Sequence, residues 1–152
     1  KDRARIPEQR RVLIVANHPL GSLDGLALLK LVSEIRTDVK IVATTLLNCI
    51  DPLKGLFLSV DNLAQSAHHR DSMNQIVQAL ESEQAVILFP TGEVSRISPL
   101  GVRDGKWKTG FLSLAKKTKA PIVPVYIGGK NSSLFYGLSS IYKPLGTMML
   151  VN

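Results

Sequence analysis

The sequence predicts an α/β fold: a single domain with a mixed, largely parallel sheet flanked by helices. Three observations carry this. Strand and helix patterns alternate along the chain, the strand segments are nearly continuous apolar runs, and 152 residues suit one domain with a sizeable core. In sheets of this kind, binding sites gather outside the carboxyl ends of the strands.

Each element rests on its own pattern. Val12–Ala16 is an apolar run of strand length. Residues 23–35 follow as a helix, with Leu28, Leu31, Val32 and Ile35 at helical spacing. Residues 39–44 form a second, β-branched strand. Residues 53–60 are ambiguous: Pro52 and Gly55 suggest a turn or short helix before a brief strand ending near Asp61. Ser72 and Gln75 make a capping-box pair opening a helix whose apolar face is Met73, Ile76, Val77 and Leu80. A continuous apolar strand at 85–89 is broken by Pro90, and a long polar loop runs over 91–108. Phe111, Leu114 and Ala115 mark another helix. Residues 122–127 form a further strand, placed at an edge or a bulge by Pro124, which cannot donate to a ladder.

Composition narrows the function. Apolar residues at 45% and charged residues at 20% fit a globular chain, and the net charge of +7 favours anionic partners. Nucleic acid is the weaker partner, because aromatics are few and never interleave with basic residues. Lipid headgroups and phosphate-bearing carriers remain. The single cysteine, Cys49, excludes an internal disulfide and fits a reducing compartment; beside Leu46, Leu47 and Ile50 it reads as a small buried hydrophobe. No apolar run approaches the ~18–20 residues of a membrane span. The chain starts abruptly at Lys1 and stops in an apparent strand at 148–151, so residues 1–152 are expected to be one domain cut from a longer chain.

Two turns carry candidate chemistry. The first strand delivers Asn17-His18-Pro19-Leu20-Gly21-Ser22-Leu23-Asp24, with five residues between His18 and Asp24. That spacing lets the carboxylate fold back onto the imidazole and fix its tautomer, as a general base requires. The same residues also admit a helix-capping Asp24 beside a histidine that merely fills a turn. Phe89-Pro90-Thr91-Gly92-Glu93-Val94-Ser95-Arg96 follows another strand and supplies a glycine turn with one charge of each sign. Both turns sit at carboxyl ends of strands.

In this order and at these separations, the Asn17-His18…Asp24 turn, the Phe89 to Arg96 loop and Val123-Pro124-Val125 resemble the glycerolipid acyltransferase family, the lysophosphatidate-acyltransferase-like group. The His-to-Asp spacing is one residue longer than the commonest family pattern. The glutamate of the loop lies after Gly92 rather than before it. Both departures resemble a bacterial branch often labelled hemolysins, similar to enzymes that acylate lyso-ornithine lipid. The family's intervening phosphate-gripping arginine has no counterpart in Leu58-Ser59-Val60-Asp61-Asn62, which points to a non-phosphorylated or amino-bearing acceptor.

The resemblance implies an acyltransferase that moves a fatty acyl group from an acyl carrier protein or coenzyme A thioester to a hydroxyl or amine of a lipid precursor. His18 and Asp24 would be catalytic, Gly92, Glu93, Ser95, Arg96, Asn17 and Gly21 substrate-binding, with no metal and no bound cofactor. Oxyanion donors are expected from backbone N–H groups of the Pro19–Ser22 turn or of the Gly92 turn. Lys106 and Lys108 are candidates for the donor's phosphates, against a plainer reading as solvated lysines. A lyso-lipid acceptor implies peripheral contact with the inner face of the membrane, from the cytoplasm. The alternatives are a non-catalytic membrane-binding or hemolysin-like protein and, more weakly, an acyl-ester hydrolase.

Other features favour structural roles. His68-His69 has no further ligand at metal spacing and is expected on an extended surface stretch. Ser22 lacks a nucleophile elbow and is expected to cap the first helix. Gly128-Gly129-Lys130 reads as a turn, and Trp107 with Phe111 as core.

Overall fold

The computed structural model describes residues 3–43, 55–59, 66–99 and 101–131. After a 3-10 turn at Arg3–Arg5, the chain forms β1 (Val12–Ala16), α1 (Ser22–Ser33), β2 (Val39–Ala43) and β3 (Phe57–Ser59). It continues through α2 (Ser66–Glu81), β4 (Ala85–Leu88), β5 (Arg96–Ser98), β6 (Gly101–Arg103), α3 (Gly110–Thr118) and β7 (Ile122–Val125). Cys49, Asp61 and the strand expected at 148–151 lie outside the described residues.

Among the described residues, five strands make one sheet in the order β3-β2-β4-β1-β7, with every neighbouring pair parallel. Ile14 of β1 lies across from Ile87 of β4 on one side and Val123 of β7 on the other. Alternation explains why the strand is apolar throughout. Val12, Ile14 and Ala16 pack with Leu28, Leu29 and Val32 of α1, whereas Leu13 and Val15 pack with Ile76 and Leu80 of α2 and Leu114 of α3. One strand thus feeds two cores.

Chain order fixes where a ligand can enter. From β1 the chain moves to β2 and β3 on one side; from β4 it passes to β7 on the other. Opposite directions of travel put α1 on one face and α2 with α3 on the other. The carboxyl ends of the adjacent β1 and β4 lie between them, where sheets of this topology place their binding sites.

Several boundaries differ from expectation. Gly21 caps α1, so Ser22 is its first helical residue rather than its cap. The helix ends at Ser33, short of Ile35. α2 starts at Ser66, which places Ser72 and Gln75 inside the helix and the backbone of His68-His69 on a helical rather than extended stretch. The polar opening of α2 carries no apolar periodicity, which is why the pattern begins only at Met73. The loop expected over 91–108 contains the antiparallel β5–β6 pair. Pro124 lies, as its missing N–H requires, on the outermost strand of the described sheet. Trp107 and Phe111 meet edge to face at 6.1 Å and pack against the α2–α3 core.

Candidate active site

The site grows out of the turn after β1. Asn17 extends the pairing of β1 with β7: its side-chain amide donates to the Ile127 carbonyl at 2.8 Å and accepts from the Ile127 N–H at 2.6 Å. Gly129 passes so close that an added Cβ would lie 2.9 Å from Leu20. Asn131 donates to the Pro19 carbonyl at 2.9 Å. These contacts fix the path of the His18 turn from the β7 side.

Asp24 is fully buried at the third position of α1. Its Oδ2 accepts the N–H groups of Leu20 at 2.7 Å and Gly21 at 3.0 Å, holding the turn and the helix start together. The same Oδ2 lies 3.1 Å from His18 Nδ1, in ion-pair range though not aligned for a hydrogen bond. Capping and approach to the imidazole, alternatives on sequence grounds, are performed by one oxygen. Gly21 has φ 84°, a conformation in which a side chain would be strained, and this tight entry lets Asp24 face back into the turn.

The imidazole of His18 is partly exposed and stacks on Phe89, with ring centroids 4.2 Å apart and planes at 26°. Phe89 directly follows β4, so the two turns converge because β1 and β4 are neighbours. The Gly92 N–H donates to the Phe89 carbonyl, and the Thr91 hydroxyl donates to the Glu93 carbonyl at 2.7 Å. Gly92 and Glu93 are exposed at the tip of this loop, Arg96 is half-buried, and Ser95 is buried. Ser95 faces inward: its hydroxyl donates to Asp104 at 2.5 Å. Of the expected oxyanion donors, Leu20 and Gly21 donate to Asp24, and Gly92 donates to the Phe89 carbonyl.

Lys106 and Lys108 line a cleft of about 430 Å³ with Trp107, Thr109 and Gly110. The Lys108 N–H donates to the Pro90 carbonyl, and its ammonium is 3.4 Å from where a Cβ on Gly92 would lie. The cleft therefore adjoins the Gly92 turn. Among the described residues no cluster of His, Cys, Asp and Glu could hold a metal ion, and no helix is long and apolar enough to cross a membrane.

Asp104 was not visible as a site residue in the sequence. It accepts from the His18 N–H, the Ser95 hydroxyl and the Trp107 indole. One signal pointed to it: Asp104 is the only acidic residue after Glu93, set among Arg103, Lys106 and Lys108.

A family model described as "Acyltransferase" matches residues 2–152. The lyso-glycine lipid O-acyltransferase of Bacteroides thetaiotaomicron is 32% identical over 142 residues, covering 93% of this chain and 52% of the relative. The enzyme of the same name from Phocaeicola vulgatus is 30% identical over 142 residues, covering 93% of this chain and 50% of its own length. The chain thus spans about half the length of the curated relatives it matches. In fold, it is similar to the crystal structure of the 1-acyl-sn-glycerophosphate acyltransferase PlsC from Thermotoga maritima. The TM-score is 0.53 at 18% identity, covering 99% of this chain and 69% of that one. A histidine–aspartate turn and a Phe-Pro loop converge at neighbouring strand ends, within a match spanning residues 2–152, and the chain belongs to the acyltransferase family.

Proposed function

We propose that this protein transfers a fatty acyl group from a carrier-protein or coenzyme A thioester to a hydroxyl of an amino-acid-bearing lyso-lipid, with His18 as general base. The observation that carries the reading is the approach of Asp24 Oδ2 to His18 Nδ1, 3.1 Å, at the neighbouring carboxyl ends of β1 and β4. A carboxylate at Nδ1 favours the tautomer with its proton there, leaving Nε2 with the lone pair a base needs. Nε2 takes the acceptor's proton as its oxygen attacks the thioester carbonyl. The C–S bond then breaks, and the imidazolium returns the proton to the departing thiolate. A thiol with pKa near ~8.5 leaves without a strong acid. No protein nucleophile or metal is required by this route.

The acceptor class is supported by two independent features. The relatives are named for a lyso-glycine lipid, and the segment at 58–62 lacks the arginine expected for a glycerol phosphate. Arg96 supplies a positive charge for the carboxylate that an N-acylated amino acid keeps, Glu93 a negative charge for a side-chain amine such as that of ornithine, and Gly92 lets the acceptor approach the backbone. Lys106 and Lys108, beside the Gly92 turn, suit the phosphates of coenzyme A or the phosphopantetheine phosphate of an acyl carrier protein. Leu23 and Leu26, three apart on the first turns of α1, are 64% and 41% exposed and flank Asp24 in sequence. They suit peripheral contact with the membrane that carries the acceptor.

The test is thiol release from an acyl thioester in the presence of lyso-glycine lipid or lyso-ornithine lipid, with the acylated product followed by mass. His18→Ala is expected to lower the rate by about 10²–10⁴-fold. Equal rates for the two proteins would rule out the base. Free fatty acid without acylated acceptor would instead identify a hydrolase.

A further inference from the structure

We infer that Asp104 is the positioning residue that holds the His18 main chain in place, through a three-way junction absent from the motifs. The inference rests on His18 being the base. Asp104 Oδ1 accepts the His18 N–H at 3.2 Å and the Ser95 hydroxyl at 2.5 Å, and Oδ2 accepts the Trp107 indole N–H at 3.1 Å. Ser95 closes the circuit, its own N–H donating to the His18 carbonyl at 2.8 Å. Both backbone polar groups of His18 are thereby bonded from the β5–β6 side, and neither bond comes from a strand ladder.

The arrangement answers a physical need. After Ala16 the β1 chain leaves the sheet, so the His18 peptide groups have lost their ladder partners. Pro19 has no N–H to offer, and Asp24 restrains only the imidazole and the two amides that follow. Without Asp104 the turn keeps its ties at Asn17, Pro19 and the His18 carbonyl, but the His18 N–H loses its acceptor and the Ser95 hydroxyl its partner, so the His18 Cα can shift relative to the acceptor lipid. A displacement of about 1 Å in a reacting group can cost about 10²-fold in rate. Asp104 therefore acts on turnover through geometry and touches no substrate.

The experiment is steady-state kinetics on the intact protein with an acyl thioester and lyso-glycine lipid, on five variants. Asp104→Ala is expected to lower kcat by about 10²-fold with KM for both substrates within about threefold of the starting protein. Asp104→Asn keeps one oxygen for His18 and Ser95 but turns an N–H₂ toward the Trp107 indole, opposing donor to donor. It is expected to be intermediate. Adding Trp107→Phe removes that conflict, so the Asp104→Asn/Trp107→Phe double variant should come within about threefold of Trp107→Phe alone. Should Asp104→Ala fail to fold, the Asn series decides by itself.

A double variant far below Trp107→Phe would show that the charge of Asp104, not its geometry, matters, and would overturn the inference. So would an effect confined to KM, or wild-type turnover in Asp104→Ala. The fifth variant, His18→Ala, separates the two readings. If it is inactive while Asp104→Ala is normal, the positioning role alone fails; if it turns over normally, the base reading fails and takes this inference with it.

Discussion

Asp24 shows how much one buried oxygen can do. Its Oδ2 accepts two backbone amides of the turn and also lies 3.1 Å from Nδ1 of His18, so helix capping and the approach to the imidazole share a single rotamer. Replacing it with asparagine separates the two tasks. The Asn carbonyl still accepts from Leu20 and Gly21, so the melting temperature is expected to fall by only a few degrees, about 1 kcal/mol, the typical worth of a cap. The negative charge that favours a proton on Nδ1 is lost, and kcat is expected to fall by about 10²-fold or more. Calorimetry and steady-state rates on one preparation check both halves. At Gly92, where φ is 66°, alanine is expected to cost about 1–2 kcal/mol in melting experiments through backbone strain, its Cβ meeting the Lys108 ammonium only at ordinary contact distance. His18 and Asp24 were legible because both lie on one turn, within reach of spacing arguments. Asp104 was not, because it meets His18 from 86 positions away.

Among the elements, the strands that feed both cores were the easiest to read, since burial on two faces leaves an unbroken apolar run. The β5–β6 pair was hidden because its strands are three residues long, mostly exposed, and carry Arg96, Ser98 and Arg103 rather than an apolar alternation. At the opposite, amino end of the sheet, the turns are tied by Arg36. This buried guanidinium donates to the carbonyls of Pro7, Arg10 and Glu83 at 2.7–2.9 Å and to both Asp38 oxygens at 2.6 and 2.7 Å. Nearby, Arg11 pairs with Glu83. Arg36→Met is expected to destabilise by about 2–4 kcal/mol, since three carbonyls lose a buried donor, while leaving turnover unchanged at the far edge.

The pH dependence of that loss has a definite sign. The Arg36 guanidinium holds the Asp38 carboxyl below its ordinary 3.8. A folded-state pKa below the unfolded one gives stability that is complete above the unfolded value and lost as pH falls through the folded one. Urea unfolding should therefore find the full difference between wild type and Arg36→Met at pH 7. The ion-pair part of that difference should shrink as the pH drops below about 4, leaving the part due to the carbonyls.

For the whole molecule, the decisive feature is the division of labour between the two ends of the sheet. Stability is anchored at the amino ends by Arg36, and the His18 and Phe89 turns meet at the carboxyl ends, where β1 and β4 lie side by side with their helices on opposite faces. That edge also presents Leu23 and Leu26 to solvent on a chain of net charge +7. An apolar pair within a basic molecule suits an anionic lipid surface, with each buried leucine contributing about 1.5–3 kcal/mol at most and each nearby cation about 1 kcal/mol. Leu23→Ser/Leu26→Ser is therefore expected to weaken cosedimentation with vesicles containing phosphatidylglycerol by tenfold or more. Wild-type binding should weaken as salt is raised and the basic surface is screened. His18→Ala should bind those vesicles as the wild type does, because the imidazole is mostly covered and stacked on Phe89 and is no part of the exposed leucine pair. If the double serine variant cosediments unchanged, this edge does not face the membrane, and acceptor lipids must reach His18 by another side.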